Sequence, residues 1–394
     1  MARNITVGID IGTYQVKVVV AELVKENGKN TTKIIGTGLT ESKGLRHGYI
    51  INSADVTQSI QSAKEMAEKA SGIKIHRAFI AIGGIGLSSL TSSASIIISR
   101  ADQQITDLDI EKLSETCEET IPTSLIQNQK ILHSIPVSYK IDGRPVLAKS
   151  PVDLKGTKLE VKMLFVTCLE PHLNDLLESI EEAGIEYVDV IASPIAASFV
   201  TLSKTQKIAG AVLANIGAET VSIVVFENNL PISLEVFPIG STDITNDIAL
   251  GLKIPLEEAE NIKISGLGGT SFSKKKLEEI VSARLTDMFE LIENHLKKIG
   301  RNGLLPAGIF ITGGGSGTST TIEDFAKVAL KLPSRIASLN IGGGKGSIKD
   351  STWAVAYGLC MLGMSKEEKT NLGLRHTMSR SGEKIFGWIK QFLP

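Results

Sequence analysis

The chain has 394 residues, 42% of them hydrophobic and 22% charged, which leaves room for two or more domains with substantial cores. A net charge of -1 gives no global field favouring nucleic acid, so no nucleic-acid partner is expected and any basic patch must be local. Three widely spaced cysteines (Cys117, Cys168, Cys360) fit no ligand pattern and read as reduced, buried small hydrophobes.

Residues 4–10 and 16–22 read as two strands joined by a tight turn at Gly12-Thr13, and a third strand near 33–39 completes a meander. The first residues lead straight into this meander without a signal-peptide apolar region. Residues 53–71 have helical periodicity, capped by Ser53 or Asp55 and closed before Gly72. An insert at about 83–164 holds strands at Ser93–Ser99, Ile131–Ile141 and Leu159–Val166, with one helix from about 107 where Thr106 and Asp109 fit a capping box. Residues 171–184 form an amphipathic helix with Pro171 in its first turn and Gly184 at its stop.

The opening order then recurs. Residues 210–216, 220–226 and 231–237 are three short strands with a glycine turn in the first link, followed by a helix at about 243–251. The repeat suggests two similar lobes with a ligand-binding cleft between them. Further helices are expected at 255–264, 273–299 and 352–363, with a strand at Ala307–Thr312 running into Gly313-Gly314-Gly315 and a helix from about Thr321. A polar stretch from 365 to 383 without apolar periodicity reads as a flexible tether. No apolar run approaches the roughly 18 residues of a spanning helix.

Three glycine-bearing strand ends carry the chemistry. In Gly8-Ile9-Asp10-Ile11-Gly12-Thr13-Tyr14, Gly12 allows a tight turn that aims amide N–H groups and the Thr13 hydroxyl at a phosphate. Asp10 at the strand end is placed to hold magnesium through water. Asn215-Ile216-Gly217-Ala218-Glu219-Thr220 repeats the arrangement. Gly313-Gly314-Gly315-Ser316 offers bare backbone against which a base or ribose can lie. Lys17 follows the first turn and either reaches a phosphate or faces solvent. Gly342-Gly343-Gly344-Lys345-Gly346 lacks the upstream Gly and the Ser or Thr after Lys that a P-loop needs, and Lys274-Lys275-Lys276 reads as a solvated helix start.

In this order and spacing the three motifs resemble the two phosphate motifs and the adenosine motif of the actin, Hsp70 and sugar-kinase superfamily. Within it, Lys43-Gly44-Leu45-Arg46-His47-Gly48-Tyr49-Ile50-Ile51-Asn52, Ile80-Ala81-Ile82-Gly83-Gly84, Ile135-Pro136-Val137-Ser138-Tyr139 and Pro151-Val152-Asp153-Leu154-Lys155-Gly156 resemble the bacterial FtsA family over essentially the whole chain. The resemblance implies an α/β, actin-like (ribonuclease H-like) duplicated fold. Its first lobe would be 1–82 with 165–192, and its second 193–244 with 306–364. It would carry an FtsA-type inserted α/β subdomain at 83–164, a small subdomain at 245–305, a linker at 365–380 and an amphipathic helix at 381–394.

The implied cofactors are ATP and Mg2+. The implied partners are the C-terminal peptide of FtsZ, further copies of the chain in a filament, later division proteins and an anionic membrane surface on the cytoplasmic side of the inner membrane at the division site. By the same resemblance Glu260 and Lys263 flank ribose and adenine, or are an exposed helical pair. Arg284 matches a basic position of the FtsZ-peptide site, with Lys298 14 residues on and nearly on the same helical face.

Asn215 departs from the superfamily, which has Asp there. An amide adds no charge for a cation, so at most slow ATP hydrolysis is expected, and no general base is apparent. In the tail, a helix would place Ile385, Phe386, Trp388, Ile389, Phe392 and Leu393 on one face against Lys384, Lys390 and Gln391, the design of a helix lying in a membrane interface. Alternative readings are a PilM-like pilus-assembly homologue, which would be expected to lack that helix, and a sugar or acetate kinase, which would need a catalytic Asp over a substrate cleft.

Overall fold

The computed structural model describes residues 4–26, 29–148, 150–265, 272–317, 322–339 and 350–371. Two five-stranded sheets dominate it. In the first the order is Glu186–Ala192, Arg77–Ile82, Ile5–Ile11, Gln15–Glu26, Lys29–Glu41. In the second it is Ser334–Ile336, Gly308–Thr312, Ala211–Ile216, Val221–Glu227, Leu230–Phe237. In each, the strands earliest in sequence form an antiparallel meander, and two later strands add in parallel beside the first. The repeat legible in the three-strand pattern is thus a repeat of whole sheets. Val16, Val18, Val19 and Val20 are all buried, the continuous β-branched run of a strand covered on both faces.

Helix Ser53–Ser71 packs on the first meander. Its cap is Asn52, not Ser53 or Asp55: Asn52 keeps an extended backbone and its side chain accepts from the Asp55 N–H at 3.4 Å. The helix ends at Gly72, whose φ is 69°.

Between the parallel strands of the first sheet, the chain builds a separate four-stranded sheet with the order Ser88–Ile97, Lys158–Leu169, Gln129–Ile141, Arg144–Pro145. Helix Asp107–Glu119 lies against it, started by Asp109, whose carboxylate accepts from the Thr106 N–H at 2.8 Å. Leu113, Cys117, Leu159, Met163 and Phe165 form its own small core.

Helices Ser241–Leu252, Leu256–Ser265 and Lys274–Lys298 group beside the second sheet around Ile244, Ile248, Leu285, Phe289 and Ile292. Helix Ser193–Thr201 and the last described helix, Ala354–Asn371, pack on each other, and Ala354–Asn371 crosses strand Ile5–Ile11 at Gly8. A Cβ on Gly8 would lie 2.2 Å from the Ala356 carbonyl oxygen. This helix runs past the expected stop at 363, because Lys366, Glu367, Glu368 and Lys369 are good helix formers even without an apolar stripe. Only the first seven residues of the expected tether are therefore described, and they are helical. The rest of it, and the tail residues Ile385, Phe386, Trp388, Ile389, Phe392 and Leu393, lie outside the described residues. Among the described residues no helix is long and apolar enough to cross a membrane.

Candidate functional site

The two glycine turns share one length and one closing hydrogen bond. Strand pairing resumes at Ile11 opposite Val16 in one hairpin and at Ile216 opposite Val221 in the other, so four residues bridge each. The Gly12 N–H donates to the Gln15 carbonyl at 3.1 Å, and the Gly217 N–H to the Thr220 carbonyl at 2.8 Å. Thr13 is half-buried, while the Tyr14 side chain projects into solvent, 62% exposed. Behind the second turn, the Ser241 and Thr242 N–H groups donate to the Gly217 and Ala218 carbonyls at 2.9 and 2.7 Å. The start of helix Ser241–Leu252 is thereby fixed to the turn.

Asp10 and Lys17 face each other in register on adjacent strands. Burial pushes the Asp10 carboxyl up to about 6, and Lys17 opposes that shift. Burial lowers the Lys17 ammonium, against the attraction of Asp10 and Asp350. Lys17 is only 9% exposed, so it does not face solvent at a strand edge. Asp350 carries only a cap pattern in the sequence, Asp350-Ser351-Thr352, and its carboxylate accepts from the Thr352 N–H at 2.9 Å.

Strand Ala211–Ile216 lies beside Gly308–Thr312, with Asn215 opposite Thr312. This brings the second turn and the glycine triplet together. Gly313 has φ 89°, and a Cβ on it would sit 2.3 Å from Asn215 Oδ1. Gly314 is open: its nearest neighbour would be Thr352 Cγ2 at 4.0 Å. Ser316 donates to the Gly313 carbonyl at 2.7 Å and closes the turn, and with Gly315 it is buried.

Lys263 is not half of an exposed helical pair. Its side chain is 7% exposed, and its Nζ reaches Glu260 Oε2 and Thr245 Oγ1 at 2.7 Å and the Ser241 carbonyl at 3.2 Å. It ties helix Leu256–Ser265 to the helix that backs the second turn. Arg284 is held by a two-point pair with Asp247, at 2.7 and 2.9 Å. Lys298, at the end of the same helix, is exposed. A contact that sequence spacing does not signal joins the lobes: the His47 N–H donates to Glu219 Oε2 across 2.5 Å.

Two copies of one sheet, each with the same four-residue turn at the same strand end, define an actin-like α/β fold. Solved structures agree. The structure described as the PilM–PilN type IV pilus biogenesis complex superposes with TM-score 0.66 at 17% identity, covering 91% of this chain and 98% of that one. MreB5 of Spiroplasma citri bound to ADP gives 0.53 at 12% identity, covering 94% and 99%.

Within that class, family models narrow the choice. The model for cell division protein FtsA matches residues 212–358, and that for the SHS2 domain inserted in FtsA matches residues 84–167. Cell division protein FtsA of Borreliella burgdorferi is 30% identical over 416 aligned residues, covering 99% of this chain and 98% of the relative. That of Pseudomonas aeruginosa is 29% identical over 383, covering 92% and 89%. The chain belongs to the FtsA family of cell-division proteins.

Proposed function

We propose that this chain binds ATP with magnesium between its two turns, polymerises, and fastens FtsZ filaments to the cytoplasmic face of the inner membrane through residues 381–394. The observation that carries the nucleotide reading is the pair of matching turns, with the glycine triplet packed against the second. The Gly12 and Gly217 amides close the turns, and the amides of Thr13, Tyr14, Ala218, Glu219 and Thr220 would take the phosphates. Gly313, Gly314, Gly315 and Ser316 would lie along the adenosine. The MreB5 structure of the same fold is described as holding ADP.

Asp10 fits the metal. A half-buried carboxyl raised to about 6 by desolvation is destabilised as an anion, and a divalent cation would relieve that. One carboxylate suits magnesium, which keeps most of its waters and shares phosphate oxygens. Lys17 balances the charge from the strand opposite. Asn215 adds no charge at the position where the superfamily carries Asp, which supports a nucleotide held as a clamp and hydrolysed slowly at most. Glu260 and Lys263 act by holding the helix behind the second turn in register with the ribose side.

For FtsZ, the acidic peptide end would meet exposed Lys298, with Arg284 contributing only the part of its guanidinium that Asp247 leaves open. Later division proteins would use the inserted α/β unit. For the membrane, six apolar side chains at about 1 kcal/mol each when half-buried give a gross gain of about 6 kcal/mol, from which ordering the helix subtracts. Single tails would therefore attach reversibly, and a polymer carrying many would attach firmly. Membership of the FtsA family disfavours the pilus-assembly and kinase readings.

Co-sedimentation with anionic liposomes tests this reading. The full chain should pellet and carry FtsZ with it, and a chain lacking 381–394 should leave both in the supernatant. Equal pelleting without the tail would remove the tail from the anchor.

A further inference from the structure

We propose that the His47–Glu219 contact is a latch between the lobes, that binding of a nucleotide's phosphate tail opens it, and that its release loosens the strand leading into the inserted α/β unit. This rests on the nucleotide reading of the same two turns.

The hairpin Leu45–Arg46/Tyr49–Ile50 turns on His47 and Gly48, with φ of 49° and 81°. Its tip is wedged between two parts of the molecule. On the second-lobe side, the His47 N–H donates to the Glu219 carboxylate at 2.5 Å. His47 Nδ1 lies 3.2 Å from the Glu219 carbonyl, to which it donates in the tautomer that this contact requires. On the other side, the Ile85 N–H donates to the His47 carbonyl at 3.3 Å, and the Tyr49 hydroxyl donates to the Ile85 carbonyl at 3.1 Å. Gly48 lies so close to Gly84 that a Cβ on it would stand 2.4 Å from the Gly84 Cα. Residues 83–87 lead directly into Ser88–Ile97, the first strand of the inserted sheet. One residue, His47, therefore bridges the second phosphate turn and the root of the insert.

Glu219 is the unusual member of its turn. Its backbone is placed to receive phosphates, and its side chain is a carboxylate. A polyanionic tail at Gly217–Thr220 repels that carboxylate at close range and weakens its bond to the His47 N–H. With the tip no longer held by that carboxylate, His47 holds Ile85 less firmly. The ligand thus acts through a differential contact, as a population shift requires.

Amide hydrogen exchange on the full chain, read at His47 and Ile85 with and without ATP and magnesium, tests this. Titration calorimetry on the same samples reports ATP binding. In the ligand-free protein both amides should be protected, and ATP should speed their exchange by about five-fold, the effect of losing one modest hydrogen bond. Glu219→Ala should exchange as fast without ATP and bind ATP about five-fold more tightly, since no latch has to open. Glu219→Gln keeps an oxygen for the His47 N–H and should retain the protection. ATP binding with unchanged exchange at both amides would overturn the latch alone. So would weaker ATP binding by Glu219→Ala, or wild-type protection in that variant. If no variant binds ATP, the nucleotide reading itself falls, and the release with it.

Discussion

Asp10 and Lys17 stand opposite one another across the first hairpin, a half-buried acid facing a buried base at the foot of the first glycine turn. Burial outweighs their attraction for Asp10, whose carboxyl rises from 3.8 to about 6. A carboxyl raised in the folded state favours folding while it is protonated, and that advantage is lost as pH rises through about 6. Asp10→Asn removes this dependence. The ligand-free variant should gain stability relative to wild type as pH rises from about 4 to about 6, levelling off near 2 kcal/mol. It should also lose the extra stabilisation that magnesium with ATP gives the wild type. Paired thermal melts across that range, with and without ligand, check both.

Gly313 and Gly314 separate structure from ligand contact. Gly313→Ala forces a Cβ into Asn215 Oδ1 at 2.3 Å on a backbone with positive φ. It should cost upwards of about 3 kcal/mol. Gly314→Ala adds a methyl to open space and should leave the melting temperature within a degree or two, since surface changes of this kind are small. If adenosine lies along the triplet, that methyl should still weaken ATP binding. Calorimetry showing wild-type affinity for Gly314→Ala would move the base elsewhere.

Lys263 is mostly buried among three oxygen acceptors. Lys263→Met removes the ammonium from the Ser241 carbonyl, the Thr245 hydroxyl and the Glu260 carboxylate, while the Thr245 hydroxyl keeps its bond to Glu260. With Glu260 partly in solvent, the loss should be about 2 kcal/mol, not the full cost of breaking a buried pair. Because Ser241 and Thr242 brace the second turn, ATP affinity should fall as well. Chemical denaturation alongside ATP titration checks the two effects.

Arg284 and Lys298 should part company. Arg284→Glu sets a carboxylate against Asp247, with Asp287 one helical turn on, and should lower stability by about 1–2 kcal/mol at this half-exposed site. Adding Asp247→Arg should restore most of it. Lys298→Ala should scarcely change stability while weakening a labelled FtsZ C-terminal peptide, with a flatter salt dependence. Fluorescence anisotropy of that peptide is the readout.

Much of the fold was legible because it is local. The first link of each meander is a four-residue turn, and β-branched runs with a glycine at the bend state such hairpins in sequence. Helix Asp107–Glu119 announced itself through Thr106 and Asp109, since a capping box is satisfied within four residues. Asn52, Ser53 and Asp55 are equally good cap formers, and only the extended backbone at Asn52 selects among them.

What the sequence by itself determined is the chemistry of the strand ends and the hairpins that present them, because turn geometry follows from residues a few positions apart. Tertiary structure alone decided the rest. Arg77–Ile82 and Glu186–Ala192 become neighbours across more than a hundred residues of intervening chain, and no local periodicity records a parallel pairing of that span. The same holds for the burial that raises Asp10, for Lys263 under the second turn, and for His47 meeting Glu219. Burial and pairing between distant segments exist only once the two sheets have packed.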